Sequence, residues 1–211
     1  MAELVTFDLD GTLIDSMQDI ACAVNHARKT FGFEPLPLPV VTAMTGGGAR
    51  NLMTLAFEGT SVSVDDALAC QKEFYTANPV VHTVLYPGVK EGLAAMKEKG
   101  LHLALITNKQ TAVAEKILDI FGIGHYFEEV WGGNSGFPLK PDPAALLAFQ
   151  KQCGVPAEKC WMLGDHYTDL GAGRQAGFVR ALARWGFGDP QDEAFDREFF
   201  TFAEFTAAVI E

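Results

Sequence analysis

Asp8 and Asp10 flank a single leucine directly after the apolar run Leu4-Val5-Thr6-Phe7. Side chains along an extended segment repeat every two residues, so both carboxylates lie on one side there. One can then attack an electrophile while the other handles a proton. Further along, Thr107 and Asn108 close the run His102-Leu103-Ala104-Leu105-Ile106. Lys140 stands in Leu139-Lys140-Pro141-Asp142-Pro143, and Asp165 and Asp169 follow Cys160-Trp161-Met162-Leu163-Gly164. Carboxylates brought to one place repel each other unless a cation sits between them. An all-oxygen ligand set suits a hard ion, and Mg2+ takes one or two carboxylates while keeping several waters. Such an ion, with Lys140 beside it, neutralises a phosphate.

Bringing these residues together requires a particular scaffold. The runs ending at Phe7, Thr107 and Leu163 are short, apolar and rich in strand formers, and each stops at a polar turn. Glu129-Val130-Trp131 and Val179-Arg180-Ala181-Leu182 are weaker strand candidates. Helical patterns fill 89–99, 112–121, 143–153 and 168–176, each followed by a glycine (Gly100, Gly122, Gly154 or Gly177) suited to a left-handed helix stop. Strands alternating with helices predict an α/β fold, a doubly wound, Rossmann-like parallel sheet. Ligands bind outside the carboxyl ends of such strands, where all the residues named above fall. Between residues 16 and 86 the alternation stops: no strand is expected, only helical pieces at 17–31, 40–44, 50–57 and 65–78. The expected organisation is therefore a core of residues 1–15 and 87–211, with a helical cap of residues 16–86 inserted after the first strand. A last helix at 202–210 opens on Thr201 and Glu204, spaced as a capping box.

Composition removes several function classes. The 211 residues carry 16 Lys and Arg against 27 Asp and Glu, a net charge of −11, which opposes general binding of nucleic acid or anionic membranes. No apolar run approaches a membrane span, and the start lacks a basic and long apolar leader, so a cytoplasmic protein is expected. Cys22, Cys70, Cys153 and Cys160 contain no C-x-x-C pair and read as small hydrophobes in a reducing compartment. A calcium loop starting at Asp8 fails because Leu13 and Asp19 occupy the positions that need Gly and Glu. No dinucleotide-type glycine fingerprint follows the first strand. His26, His82, His102 and His125 lack partners at metal spacing and read as structural. Gly171-Ala172-Gly173 reads as close helix packing, and the phenylalanines between 195 and 205 read as core.

Asp8-Leu9-Asp10-Gly11-Thr12-Leu13-Ile14-Asp15-Ser16 resembles the first signature of the haloacid dehalogenase superfamily in its phosphatase form. Leu105-Ile106-Thr107-Asn108-Lys109 resembles the second, Lys140-Pro141-Asp142-Pro143 the third, and Gly164-Asp165-His166-Tyr167-Thr168-Asp169 the fourth. All four stand in order across essentially the whole chain. Residues 45–57, with Gly132-Gly133 ahead of Lys140-Pro141, are most similar to phosphoglycolate phosphatases. The resemblance implies a Mg2+-dependent phosphomonoester hydrolase of a small phosphorylated metabolite, with 2-phosphoglycolate as leading substrate. Asp8 would be the nucleophile that forms an aspartyl-phosphate, and Asp10 the general acid and base. Mg2+ would be held by Asp8, the Asp10 main-chain carbonyl and Asp165, with Asp169 in support. Thr107, the Asn108 backbone and Lys140 would hold the phosphoryl group. His166 departs from the Ser or Thr common at its position.

Other members of the same scaffold are weighed by their residues. A β-phosphoglucomutase-like phosphosugar mutase would keep the same aspartates, and a non-catalytic relative would not need them. A phosphonate hydrolase would want a cap lysine for a Schiff base, and residues 16–86 hold only Lys29 and Lys72, neither beside the glycine-rich loop, which disfavours that reading. A dehalogenase would not require Asp10. Gly46-Gly47-Gly48 ahead of a helix fits either a phosphate cradle or a flexible turn. Gly47 and Arg50 are the expected substrate contacts from the cap, Arg50 because a guanidinium binds a carboxylate through two parallel hydrogen bonds.

Overall fold

The computed structural model describes residues 2–211. Its elements run in chain order. First come β1 (Leu4–Phe7), β2 (Ile14–Asp15), α1 (Met17–Thr30), α2 (Leu38–Thr42), α3 (Gly48–Ala56), α4 (Val64–Ala77) and β3 (Val84–Leu85). Then follow α5 (Val89–Glu98), β4 (His102–Ile106), α6 (Thr111–Phe121), β5 (Glu129–Trp131), α7 (Ala144–Cys153) and β6 (Cys160–Gly164). The chain closes with α8 (Tyr167–Ala176), β7 (Val179–Ala183), β8 (Arg197–Phe199) and α9 (Phe202–Ile210).

Six strands form one parallel sheet in the order β5-β4-β1-β6-β7-β8. The chain starts in the middle of the sheet and winds outward in both directions, so the carboxyl ends of β1, β4 and β6 are neighbours. Alternation along the central strands divides the core. Val5 and Phe7 face α5, α6 and α9 with Leu103, Leu105 and Leu163, whereas Leu4 packs with Ala104, Met162, Leu146 and Phe149 under α7 and α8. Thr6 is fully buried, and its hydroxyl donates to the Trp161 carbonyl at 3.1 Å. The expected doubly wound fold is present, and Gly100, Gly122, Gly154 and Gly177 all take the left-handed conformation.

Three local expectations need correction. Residues 16–86 do contain a strand: β3 pairs antiparallel with β2, so Ile14 meets Leu85 and Asp15 meets Val84. Two residues per strand are too few to leave a periodic signal. β8 was not expected because Arg197 and Glu198 are charged and exposed, a common device on an edge strand. α2 begins at Leu38, ahead of the expected residue 40, because Pro39 is tolerated in a first helical turn.

The β2–β3 ribbon brackets the four helices of the insert. α1 packs against α4, and its buried face carries Ile20, Ala23, Val24 and Ala27. Asp19 ties α1 to the returning chain. Its buried carboxylate accepts the N–H groups of Val81, His82 and Thr83, each at 2.9 Å, and the Thr83 hydroxyl at 2.6 Å. Three of those bonds satisfy backbone donors that no ladder reaches.

Candidate active site

The carboxyl ends of β1, β4 and β6 open into a cleft roofed by α3, α4 and the loop before α3. Asp8, Asp10, Thr107, Asn108, Lys140 and Asp165 all line it, so the core residues expected from sequence are brought together. Asp169, fully buried on α8, stands directly behind.

Lys140 is almost wholly buried, with its ammonium 2.9 Å from Asp8 Oδ1 and 2.7 Å from Asp169 Oδ1. None of these three atoms has a partner in hydrogen-bonding geometry. Burial acts to lower the Lys140 pKa, but the charges of Asp169 and Asp8 outweigh it and keep the ammonium charged above its ordinary range. The Asp8 carboxyl is raised as well. Loss of solvent raises its carboxyl, Lys140 opposes that, and Asp169 and Asp10 add to it.

The Asp165 carboxyl is raised too. Burial, followed by repulsion from Asp169 and Asp8, holds its carboxyl well above the usual range. Its position is set by close backbone approach: a Cβ at Gly11 would lie 1.9 Å from Asp165 Oδ2, and one at Gly186 2.3 Å from Asp165 Cβ. Gly188 N–H donates to Oδ2 at 2.7 Å. Asp8, Asp165 and Asp169 each offer an oxygen, all within 4.8 Å of one another. Three carboxylates, Asp8 partly buried and Asp165 and Asp169 buried, with one lysine among them and two of their oxygens lacking hydrogen bonds, fit a hard divalent cation such as Mg2+.

Asp10 turns its carboxylate to Lys109, whose ammonium lies 2.9 and 2.7 Å from the two oxygens, and to the Ser16 hydroxyl. Lys109 is an addition to the expected site. Burial would lower its pKa, but Asp10 and then Tyr75 raise it, and the ammonium lies 4.6 Å over the Tyr75 ring of α4. It sat within the second motif, but nothing in sequence spacing indicated that it would reach Asp10.

The glycine-rich loop is a docking contact. Gly46 has φ +97°, and a Cβ there would lie 2.0 Å from His166 Cε1 and 2.3 Å from Nε2. The Asn108 amide donates to Gly46 O and to Lys140 O, both at 3.0 Å, and Asn108 Oδ1 accepts the Lys140 N–H at 2.9 Å. One side chain therefore binds the second motif, the third motif and the insert together. His166 answers the question of its departure: its side chain caps α8 by accepting from Thr168 N–H, while Asp169 accepts the His166 N–H in return at 3.1 Å.

The expected contacts from the insert are not where sequence placed them. Arg50 lies exposed on Asp65 in a surface ion pair and does not line the cleft. α3 turns that side chain toward the first turn of α4, where an acidic pair already stands. Gly47 packs toward Asn51 of its own helix, and the cleft is lined by Gly46 and Gly48 on either side of it. Gln71, Lys72 and Tyr75 line it from α4 instead, so Lys72 shares the cleft with the glycine-rich loop although it is remote in sequence. The helical pattern alone could not tell which stripe of α4 faces the core. Phe187 and Gly188, in the loop after β7, were also missed; a Gly-Phe-Gly turn at a strand's carboxyl end was the available signal. His102, expected to lack partners, lies 2.9 Å from Glu128 near Cys153, but Lys97 already supplies that carboxylate with a cation at 2.7 Å.

Comparison with known proteins agrees with this geometry. The family model of haloacid dehalogenase-like hydrolases matches residues 5–183. A phosphoglycolate phosphatase of Aquifex aeolicus is 38% identical over 184 residues, covering 87% of this chain and 85% of the relative. One from Pseudomonas fluorescens is 40% identical over 194 residues, covering 89% of this chain and 71% of the relative. Among solved structures, a predicted phosphoglycolate phosphatase from Haemophilus somnus superposes with a TM-score of 0.93 at 30% identity, covering 98% of this chain and 97% of that one. With three motifs at strand ends and Lys140 of the other brought to them from the loop before α7, the chain belongs to the haloacid dehalogenase-like hydrolases, as one of the family's phosphatases.

Proposed function

We propose that the protein hydrolyses a small-metabolite phosphomonoester, with 2-phosphoglycolate as leading substrate, through an aspartyl-phosphate on Asp8. The observation that carries this reading is the buried group of Asp8, Lys140, Asp165 and Asp169, which is electrostatically incomplete without a cation and a phosphate. The names of the relatives support the substrate. The helices of residues 16–86 act as a cap over a core formed by 1–15 and 87–211. Four free cysteines fit the reducing cytoplasm expected for this chain, and no described helix is long and apolar enough to cross a membrane.

In this reading Asp8 attacks phosphorus and the ester P–O bond breaks. Asp10 gives its proton to the departing alkoxide. Asp10 then takes a proton from water, which attacks the acyl-phosphate and releases inorganic phosphate with Asp8 restored. Thr107, the Asn108 backbone and Lys140 hold the phosphoryl oxygens, and burial excludes competing water. Asp8 and Asp165, with the Asp10 carbonyl and with Asp169 in support, would hold Mg2+, which supplies neutralisation of the phosphoryl charge. The test is Mg2+-dependent phosphate release from a panel of phosphomonoesters, with rapid quench and mass analysis of the Asp8 peptide. A gain of one phosphoryl group at Asp8 is expected. Turnover with no phosphorylated peptide, or phosphorylation elsewhere, would overturn the mechanism.

A further inference from the structure

The cleft contains polar groups that this reaction does not use. Charged residues lining it are Asp8, Asp10 and Asp165 against Lys72, Lys109 and Lys140. Lys109 is held by Asp10, and Lys140 is shared between Asp8 and the buried Asp169. Lys72 is left over: it is half-buried, and among the described residues no carboxylate lies within ion-pair distance of it. In a chain of net charge −11, a cation facing a cleft without a counter-charge is matched to an anion from outside.

The neighbours of Lys72 on the same stripe of α4 point the same way. Gln71 lines the same cleft, its amide open to it and without a side-chain hydrogen bond among the described residues. The Tyr75 hydroxyl is buried and likewise unpartnered. Buried polar groups are nearly always paired, so the unpaired Tyr75 hydroxyl, beside the open Gln71 amide and an unpaired ammonium, marks a ligand position. Asp8 and Lys140 take the phosphate at the floor, which leaves these α4 donors for the alcohol portion.

We propose that Lys72, with Gln71 and the Tyr75 hydroxyl, is the specificity-determining subsite for a carboxylate on the leaving alcohol. The substrate class is then short phosphomonoesters carrying a second anion close to the phosphate. This rests on the phosphatase reading above and assigns its selectivity to α4, in place of the Arg50 expected from sequence.

The experiment compares kcat/KM for 2-phosphoglycolate and for ethyl phosphate, in which a methyl group replaces the carboxylate, in the Mg2+-loaded full chain. Wild type favours 2-phosphoglycolate. In Lys72→Met that preference ratio falls by about 10- to 100-fold, as expected for loss of a charged hydrogen bond, with the change carried mainly in KM. Lys72→Arg keeps most of the ratio, and Lys72→Glu lowers it further than Met. An unchanged ratio in Lys72→Met overturns the inference. So does a wild type that hydrolyses both esters equally well, a result that leaves the phosphatase reading standing. A wild type that hydrolyses neither ester but releases phosphate from other phosphomonoesters overturns the inference and leaves the phosphatase reading standing, whereas no Mg2+-dependent phosphate release from any phosphomonoester overturns both.

Discussion

Replacing Gly46 with alanine tests whether the insert docks on the core through His166. The new methyl group would enter the space of the imidazole, 2.0, 2.3 and 2.4 Å from three of its ring atoms, at a backbone φ of +97°. A non-glycine residue in left-handed backbone costs about 1–2 kcal/mol, and overpacking costs about 1–3 kcal/mol more. The loop relieves both by lifting from the core, which also breaks the 3.0 Å bond from Asn108 to Gly46 O. At one decade per 1.36 kcal/mol, a total of about 2–5 kcal/mol lowers kcat/KM by about 30- to 5,000-fold. Thermal unfolding should change less, because the strained loop moves without opening either sheet face. The assay is kcat/KM for one phosphomonoester in wild type, Gly46→Ala, His166→Ser and the double variant. Serine retains the helix-capping role of His166 while removing the ring. The double variant should therefore recover the overpacking part, a coupling of about 1–3 kcal/mol. A Gly46→Ala enzyme within about threefold of wild type would refute the docking argument, as would a double variant no better than Gly46→Ala alone.

Asp8→Asn should abolish turnover while circular dichroism shows an intact fold, because an amide forms no acyl-phosphate; Mg2+-dependent hydrolysis by the purified variant would contradict the nucleophile assignment. Chelation should remove activity and Mg2+ restore it, while Ca2+ should not, since its larger coordination number draws both oxygens of a carboxylate onto the ion; full activity in excess chelator would count against the metal. Asp19→Ala should destabilise the protein by about 2–4 kcal/mol at pH 7, because it removes the acceptor of the buried Thr83 N–H and hydroxyl together with that of the Val81 and His82 N–H groups. Burial acts to raise the Asp19 carboxyl, but the bonds from Thr83, Val81 and His82 outweigh it and hold the pKa below its ordinary value. Its contribution is therefore present above the unfolded value near pH 4 and lost as pH falls through the folded one, so urea melts should show the wild-type advantage shrinking as the pH is taken progressively below about 4. A gap that stays constant across that range would disprove the linkage.

Much of the core was legible because its signals are local. A run such as Leu4–Phe7 reads as a buried strand from its own composition, and Asp8 and Asp10 share a side by strand period alone. A parallel sheet then leaves few ways to place Thr107, Lys140 and Asp165 other than at one edge. Gly171 and Gly173, expected to pack closely, do so: a Cβ would lie 3.0 Å from Pro141 and 3.1 Å from Arg180.

Tertiary structure alone decided what the insert presents to that edge. A helical repeat shows that α3 and α4 each have a buried face, but not how each is rotated about its axis when docked. That rotation turned Arg50 outward to Asp65 and brought Lys72, Gln71 and Tyr75 to the cleft. The same holds for Lys109 on Asp10 and for Gly46 beneath His166, pairs 99 and 120 residues apart in the chain. Periodicity is a property of one element. Which side chains meet across two elements depends on their relative placement, set here by the packing of α3 and α4 against α1 and each other, and no residue within either element encodes it alone.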